Sequence, residues 1–156
     1  MATIEAKILN VSVNAFEGEI KYHVRFDKSF EAIIKDDNDN YVDGNADYVD
    51  FVPRVLIAQA LELVPNLSIM YSMMKESSIR NGDKNTFGAT QLAIILRDAE
   101  VTLEREKHTA GEEYKDSDGE TKTLEHDCYF TAIKAIKITD NATKILDRVL
   151  DKALGF

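Results

Sequence analysis

Three residues in this 156-residue chain have side chains suited to a transition metal: His108, His126 and Cys128. Imidazole and thiolate are the ligands zinc prefers. On a strand, His126 and Cys128 point to one side and Asp127 to the other, with His108 facing them across a hairpin. The spacing is not that of a structural zinc site, and no metal is assigned. A second cluster is Asp37, Asp39, Asp43, Asp47 and Asp50 around Gly44. Counted from Asp39, a calcium loop would have Asp43 fifth, Gly44 sixth and Asp50 twelfth, but Tyr41 occupies the third place, where an oxygen donor belongs. Nucleophilic catalysis is poorly served as well. Cys128 falls within an apolar strand pattern rather than at a helix N-terminus, where its pKa would drop. The seven glycines form no phosphate-binding loop. The expectation is a protein that is not an enzyme and uses no cofactor.

The remaining candidate chemistry is cationic. Ile20, Tyr22, Val24 and Phe26 alternate with Lys21, His23, Arg25 and Asp27, the pattern of a half-buried strand with a largely basic outer face. Lys35 follows on the next strand, and Arg105 with Lys107 on a later one. Proteins that hold single-stranded nucleic acid combine a positive groove with aromatic rings on which bases stack. Phe30 and Tyr41 are the rings nearest this face. The expected nucleic-acid-binding set is therefore Lys21, His23, Arg25, Phe30, Lys35, Tyr41, Arg105 and Lys107. Such a contact would weaken steeply with salt.

Against this stands a net charge of −9. The charge is uneven: residues 31–52 and 99–127 each carry −6, and the rest of the chain is net positive. Both acidic segments are turn-rich, so they are expected to be solvated loops that leave a basic face free elsewhere.

The elements that would position these groups follow from periodicity. Ile4, Ala6 and Ile8 share a face, then the phase slips to Leu9, Val11 and Val13, as in a strand with a bulge. Gly18 turns into the alternating strand at 20–26, and Phe30–Lys35 reads as a third strand, with Asp27-Lys28-Ser29 between them. From Pro53 the period becomes helical, broken at Pro65 and resumed from Leu67 to Ser77-Ser78. An Asn81-Gly82-Asp83 turn precedes a short helix capped by Thr90, with Leu92, Ile95, Leu96 and Ala99 on one face. Residues 100–106 and 128–139 read as strands joined by a long polar loop. Asp140 then caps an amphipathic helix. The expected fold is α+β: a five-stranded Greek-key barrel like the oligonucleotide-binding (OB) fold, forming a single domain over 1–156. Residues 53–98 would be a helical insertion between strands three and four, and 140–156 a C-terminal helix.

The runs Leu96-Arg97-Asp98-Ala99-Glu100-Val101-Thr102-Leu103-Glu104-Arg105, Ala110-Gly111-Glu112-Glu113-Tyr114 and His126-Asp127-Cys128-Tyr129 resemble those of small phage or prophage single-stranded DNA-binding proteins of the OB-fold kind. The resemblance implies non-specific binding of single-stranded DNA in replication or recombination, by a homodimer. Members of such a family often end in an acidic tail closing with Phe. This chain ends in Phe156, but lysines, an arginine and aspartates interleave on a helical pattern just before it. The competing expectation is a protein–protein interaction or assembly component that ignores nucleic acid. A single cysteine and no apolar run of about 20 residues suit a reducing, cytoplasmic setting without a membrane.

Overall fold

The computed structural model describes residues 2–16, 18–81, 87–116 and 118–155. Its frame is one five-stranded antiparallel sheet of order β3-β2-β1-β4-β7. The strands are β1 (Ala2–Phe16), β2 (Glu19–Lys35), β3 (Tyr41–Phe51), β4 (Glu100–His108) and β7 (Cys128–Lys137), with a small separate hairpin of β5 (Glu113–Lys115) and β6 (Thr121–Thr123). Helices α1 (Pro53–Leu63), α2 (Leu67–Asn81) and α3 (Ala89–Ile95) lie between β3 and β4, and α4 (Asp140–Ala153) follows β7.

The phase slip in the first strand is real. Ile8 pairs with Phe26 and Asn10 with Arg25, so Leu9 is the extra residue of a bulge. There β1 changes partner: residues 2–7 pair with β4, while 8–16 pair with β2. One strand thus serves both halves of the sheet. Gly18 turns the chain at φ +80°, a conformation open to glycine at no steric cost.

The second and third strands differ from expectation. Residues 19–35 form one strand, and Asp27-Lys28-Ser29 is not a turn between strands but a protrusion within β2. Against β3, Arg25 faces Tyr48 and Phe30 faces Ala46, so five steps on β2 meet two on β3. The Asp27 carboxylate accepts the Lys7 backbone N–H at 2.8 Å, which ties the protrusion to β1. The true third strand is 41–51, inside the segment expected to be a solvated loop. Aspartate, asparagine and glycine are poor strand formers, and here the pairing with β2 overrides that preference. Gly44 lies opposite Ala32, and a β-carbon there would come within 2.7 Å of Ile34 Cγ1, so the Ile34 side chain would have to shift. The polar loop after β4 likewise contains a hairpin, β5–β6, that its composition concealed.

The helical segments begin where periodicity put them, but α2 runs on through Asn81, a residue expected in a turn; Leu92, Ile95, Leu96 and Ala99 are all fully buried. Gly88, not Thr90, caps α3, its N–H donating to the Gln91 side chain at 2.8 Å. Thr139, not Asp140, caps α4 by accepting from the Ala142 N–H at 3.1 Å. Gly82 and Asp83 of the expected turn, and Phe156, lie outside the described residues. The core gathers Ile8, Val24, Phe26, Leu56, Leu67 and Leu103 with those helical residues. Each such side chain contributes about 1.5–3 kcal/mol by leaving water.

The sheet does not close into a barrel, contrary to expectation: among the described residues β3 and β7 are not hydrogen-bonded neighbours. Ladder pairing needs backbones about 4.8 Å apart, and where β7 approaches β2 the contact is made by side chains instead. Arg105 of β4 donates to the Glu31 carbonyl on β2 and, at 3.1 Å, to Thr131 on β7. Its guanidinium lies 4.3 Å from the Phe30 ring centroid and 4.5 Å from that of Tyr129. The Tyr129 hydroxyl reaches the Glu31 carboxylate at 3.4 Å. Burial pulls the guanidinium below its ordinary pKa, while Tyr129 and Glu31 push it back up, and an arginine stays charged throughout.

Arg105→Ala would strand the Glu31 carbonyl and open the seam. It is expected to cost about 2–3 kcal/mol by urea denaturation, with Arg105→Lys failing to restore the forked contact. A loss below about 0.5 kcal/mol would contradict the bridging role. Gly44→Val is expected to destabilise by about 1–3 kcal/mol in the same assay, because Ile34 must be displaced; an unchanged midpoint would refute the close packing.

Candidate functional site

Strand parity decides which expected site residues reach the surface. Along β2 the even positions Val24, Phe26, Phe30 and Ala32 are buried, so the protrusion at 27–29 preserves the phase. Phe30 is therefore a core residue, 5.7 Å from Phe26 ring to ring, and offers no platform to a base. Arg105 shares the inward parity of Val101 and Leu103 and is only 6% exposed. Both leave the expected interface, since their contacts inside the fold are already made.

The odd positions of β2 face outward, as the alternation required. What lies beside them was not foreseen. His23 Nδ1 is 2.9 Å from an Asp50 carboxylate oxygen, and the Arg25 guanidinium is 3.2 Å from Asp47. Lys21 Nζ is 3.6 Å from Glu19. Lys107 Nζ meets Asp43 at 3.1 Å, and that carboxylate holds the ammonium pKa above its ordinary value. The third strand thus lays its carboxylates along the cations. Exposed pairs of this kind are worth about 0–1 kcal/mol each, too little to dictate the fold. They do cancel the positive face.

Lys35 has an aromatic partner instead, its Nζ 5.1 Å from the Tyr41 ring centroid. Tyr41 in turn stacks on His126, at 3.7 Å and 10° between planes. His126 Nδ1 lies 2.8 Å from the Asp127 carbonyl, to which it donates. On the same outer face Tyr48, opposite Arg25, lies 4.7 Å from the His23 ring. Tyr41 and Tyr48 are 44% and 41% exposed. An open cleft of about 570 Å³ runs between the β2–β3 layer and the start of β7, with Lys21, Tyr48, His126 and Tyr129 in its walls.

Sequence reasoning placed Lys21, His23, Arg25, Lys35 and Tyr41 on this side and missed Tyr48, His126 and Tyr129. The signal for Tyr48 was present in the alternation of Tyr48-Val49-Asp50-Phe51, hidden by the aspartates on either side. The histidine–cysteine trio is split. His108 engages Glu112 at 3.2 Å and Glu106 at 3.6 Å, His126 stacks on Tyr41, and Cys128 pairs with His108 only in strand register. Among the described residues no three potential ligands converge on a metal position.

No family model, no curated protein and no solved structure matches this chain.

Burial raises the pKa of the Cys128 thiol, and Glu112 and Asp127 add to the effect. The reactive thiolate is thereby depleted at neutral pH. Iodoacetamide is expected to modify Cys128 several-fold more slowly in the folded protein at pH 7.5 than in urea, with the folded rate climbing as pH rises. Equal rates in the two states would show that the thiol is not protected.

Proposed function

We propose that the protein is a non-catalytic binder of single-stranded DNA that holds its ligand by stacking in the cleft between β2–β3 and the start of β7. The observation that carries this reading is the pair of half-exposed rings on the outer face of β2–β3, Tyr48 against His23 and Tyr41 against His126, with Tyr48, His126 and Tyr129 also in the walls of the adjoining cleft. Bases stack on such rings at about 1–3 kcal/mol each, whatever their identity. The five-stranded antiparallel sheet with a helical segment between β3 and β4 supports an OB-like reading. In OB folds the face of strands two and three, with the loop between strands four and five, is where oligonucleotides lie. The resemblance of the runs within 96–129 implies a role in replication or recombination, and the single cysteine suits a cytoplasmic setting.

The neutralised cations alter what such binding would look like. Phosphates would have to displace Asp43, Asp47 and Asp50 from Lys107, Arg25 and His23 before gaining those contacts. Each exchange returns less than a free lysine would. Affinity should therefore come chiefly from the rings, and salt dependence should be shallow.

Fluorescence anisotropy with a labelled 20-mer oligothymidine tests this. Binding in the micromolar range is expected at low salt. The slope of log K against log salt should be shallower than the roughly −2.8 given by four unpaired cations. Tyr48→Ala should weaken binding by about 1–3 kcal/mol. No anisotropy change at low salt ends the reading, and an unaffected Tyr48→Ala variant removes the cleft from it.

A further inference from the structure

Three aspartates of β3 each have a cation beside them: Asp43 has Lys107, Asp47 has Arg25 and Asp50 has His23. Asp127 has none. It stands in the wall of the same cleft as Tyr48 and Asp50, and among the described residues it forms no ion pair. Its place is nonetheless fixed. One carboxylate oxygen accepts the Ala110 backbone N–H at 2.9 Å, and its own carbonyl accepts from His126 Nδ1 at 2.8 Å. The second carboxylate oxygen has no donor among the described residues, and the residue is half-buried.

A fixed anion in the wall of a cleft for a polyanion repels phosphates, unless the ligand also brings hydrogen-bond donors. The cleft itself offers few. Arg105 is spent on the Glu31 carbonyl and Thr131, and Lys21 lies 3.6 Å from Glu19. The donors must then come from a base edge, and the bases differ in what they present. Thymine has a single N–H between two carbonyl oxygens. Cytosine and adenine each set an amino group beside a ring nitrogen that accepts, so a carboxylate against that edge gains one bond and meets a lone pair. Guanine alone has two adjacent donors, N1–H and the 2-amino group. They form the same fork by which an arginine binds a carboxylate through two parallel bonds.

We propose that the cleft prefers guanine, its base stacked on a ring of the cleft and its N1–H and 2-amino donors on the Asp127 carboxylate. Lys21 can serve a carbonyl oxygen of guanine or of thymine alike, so it does not discriminate. This preference rests on the reading that the cleft holds single-stranded DNA, and adds a choice of base where stacking gives none. Two-point reading of a base discriminates by about five- to 150-fold.

Fluorescence anisotropy at low salt compares three labelled 20-mers: oligothymidine, and the same strand with isolated guanines or isolated inosines spaced through it. Inosine keeps N1–H and the purine rings but lacks the 2-amino group. The wild type is expected to bind the guanine strand at least about fivefold more tightly than oligothymidine, and the inosine strand several-fold more weakly than the guanine strand. In Asp127→Asn the amide oxygen can keep the Ala110 N–H, while its NH2 stands where guanine brings donors. That variant should hold the guanine strand no better than oligothymidine, with oligothymidine affinity unchanged or slightly raised. Should it fail to fold, the guanine–inosine comparison on the wild type still decides. Equal binding of those two strands by the wild type, or a folded Asp127→Asn that keeps the full preference, overturns the guanine preference and leaves the cleft a binding site. A wild type that binds none of the three strands ends both readings.

Discussion

The alignment of β3 along β2 is the constraint on which the rest of this molecule depends. It covers the inner face with Val49 and Phe51 beside Val24 and Tyr22. On the outer face the same register brings Asp50 to His23 and Asp47 to Arg25. The pairs supply little stability, because water and salt screen them. Their consequence is electrostatic: a face that would attract phosphates over a distance is held near neutrality. The exposed rings on that face then become its most distinctive recognition chemistry.

The open side of the sheet follows from a second compromise. β1 bends at Leu9 to serve both halves, and β3 and β7, at the two ends of the sheet, share no ladder. A buried guanidinium instead links β2 to β7. Arg105 can do so because its fork bonds to a carbonyl and a hydroxyl while its flat faces lie on Phe30 and Tyr129. An apolar residue there would fill the space but leave the Glu31 carbonyl unpaired. The cleft beside Tyr48 and His126 exists because this seam is held by side chains rather than by backbone.

Much of the frame was legible from periodicity. The bulge at Leu9 showed as a phase slip, the helices between Pro53 and Ala99 as a change from period two to period 3.6, and α4 as an apolar stripe. The third strand was not legible, because Asp43, Gly44, Asn45 and Asp47 are turn formers by local preference and strand residues only by virtue of their partner. That single misreading carried over to the site. With residues 36–50 taken as a solvated loop, the cations on β2 looked free, and Tyr48 looked irrelevant. The inward turn of Arg105 was readable from its shared parity with Val101 and Leu103, but an arginine on a core parity is so costly when unpaired that sequence alone favours the surface. The Glu31 carbonyl, the Thr131 hydroxyl and the rings of Phe30 and Tyr129, all brought in from other strands, make its burial tolerable.

The account therefore turns on whether the β3 carboxylates restrain the cations beside them, and charge removal at those positions measures this most directly. In a folded Asp43→Asn, Asp47→Asn, Asp50→Asn variant, Lys107, Arg25 and His23 lose their partners. Titrated with labelled oligothymidine over a range of salt concentrations, the variant should bind more tightly than the wild type. Its salt slope should steepen by about 1.4 units, as the release of Lys107 and Arg25 requires. Affinity and slope both unchanged from the wild type would contradict the account.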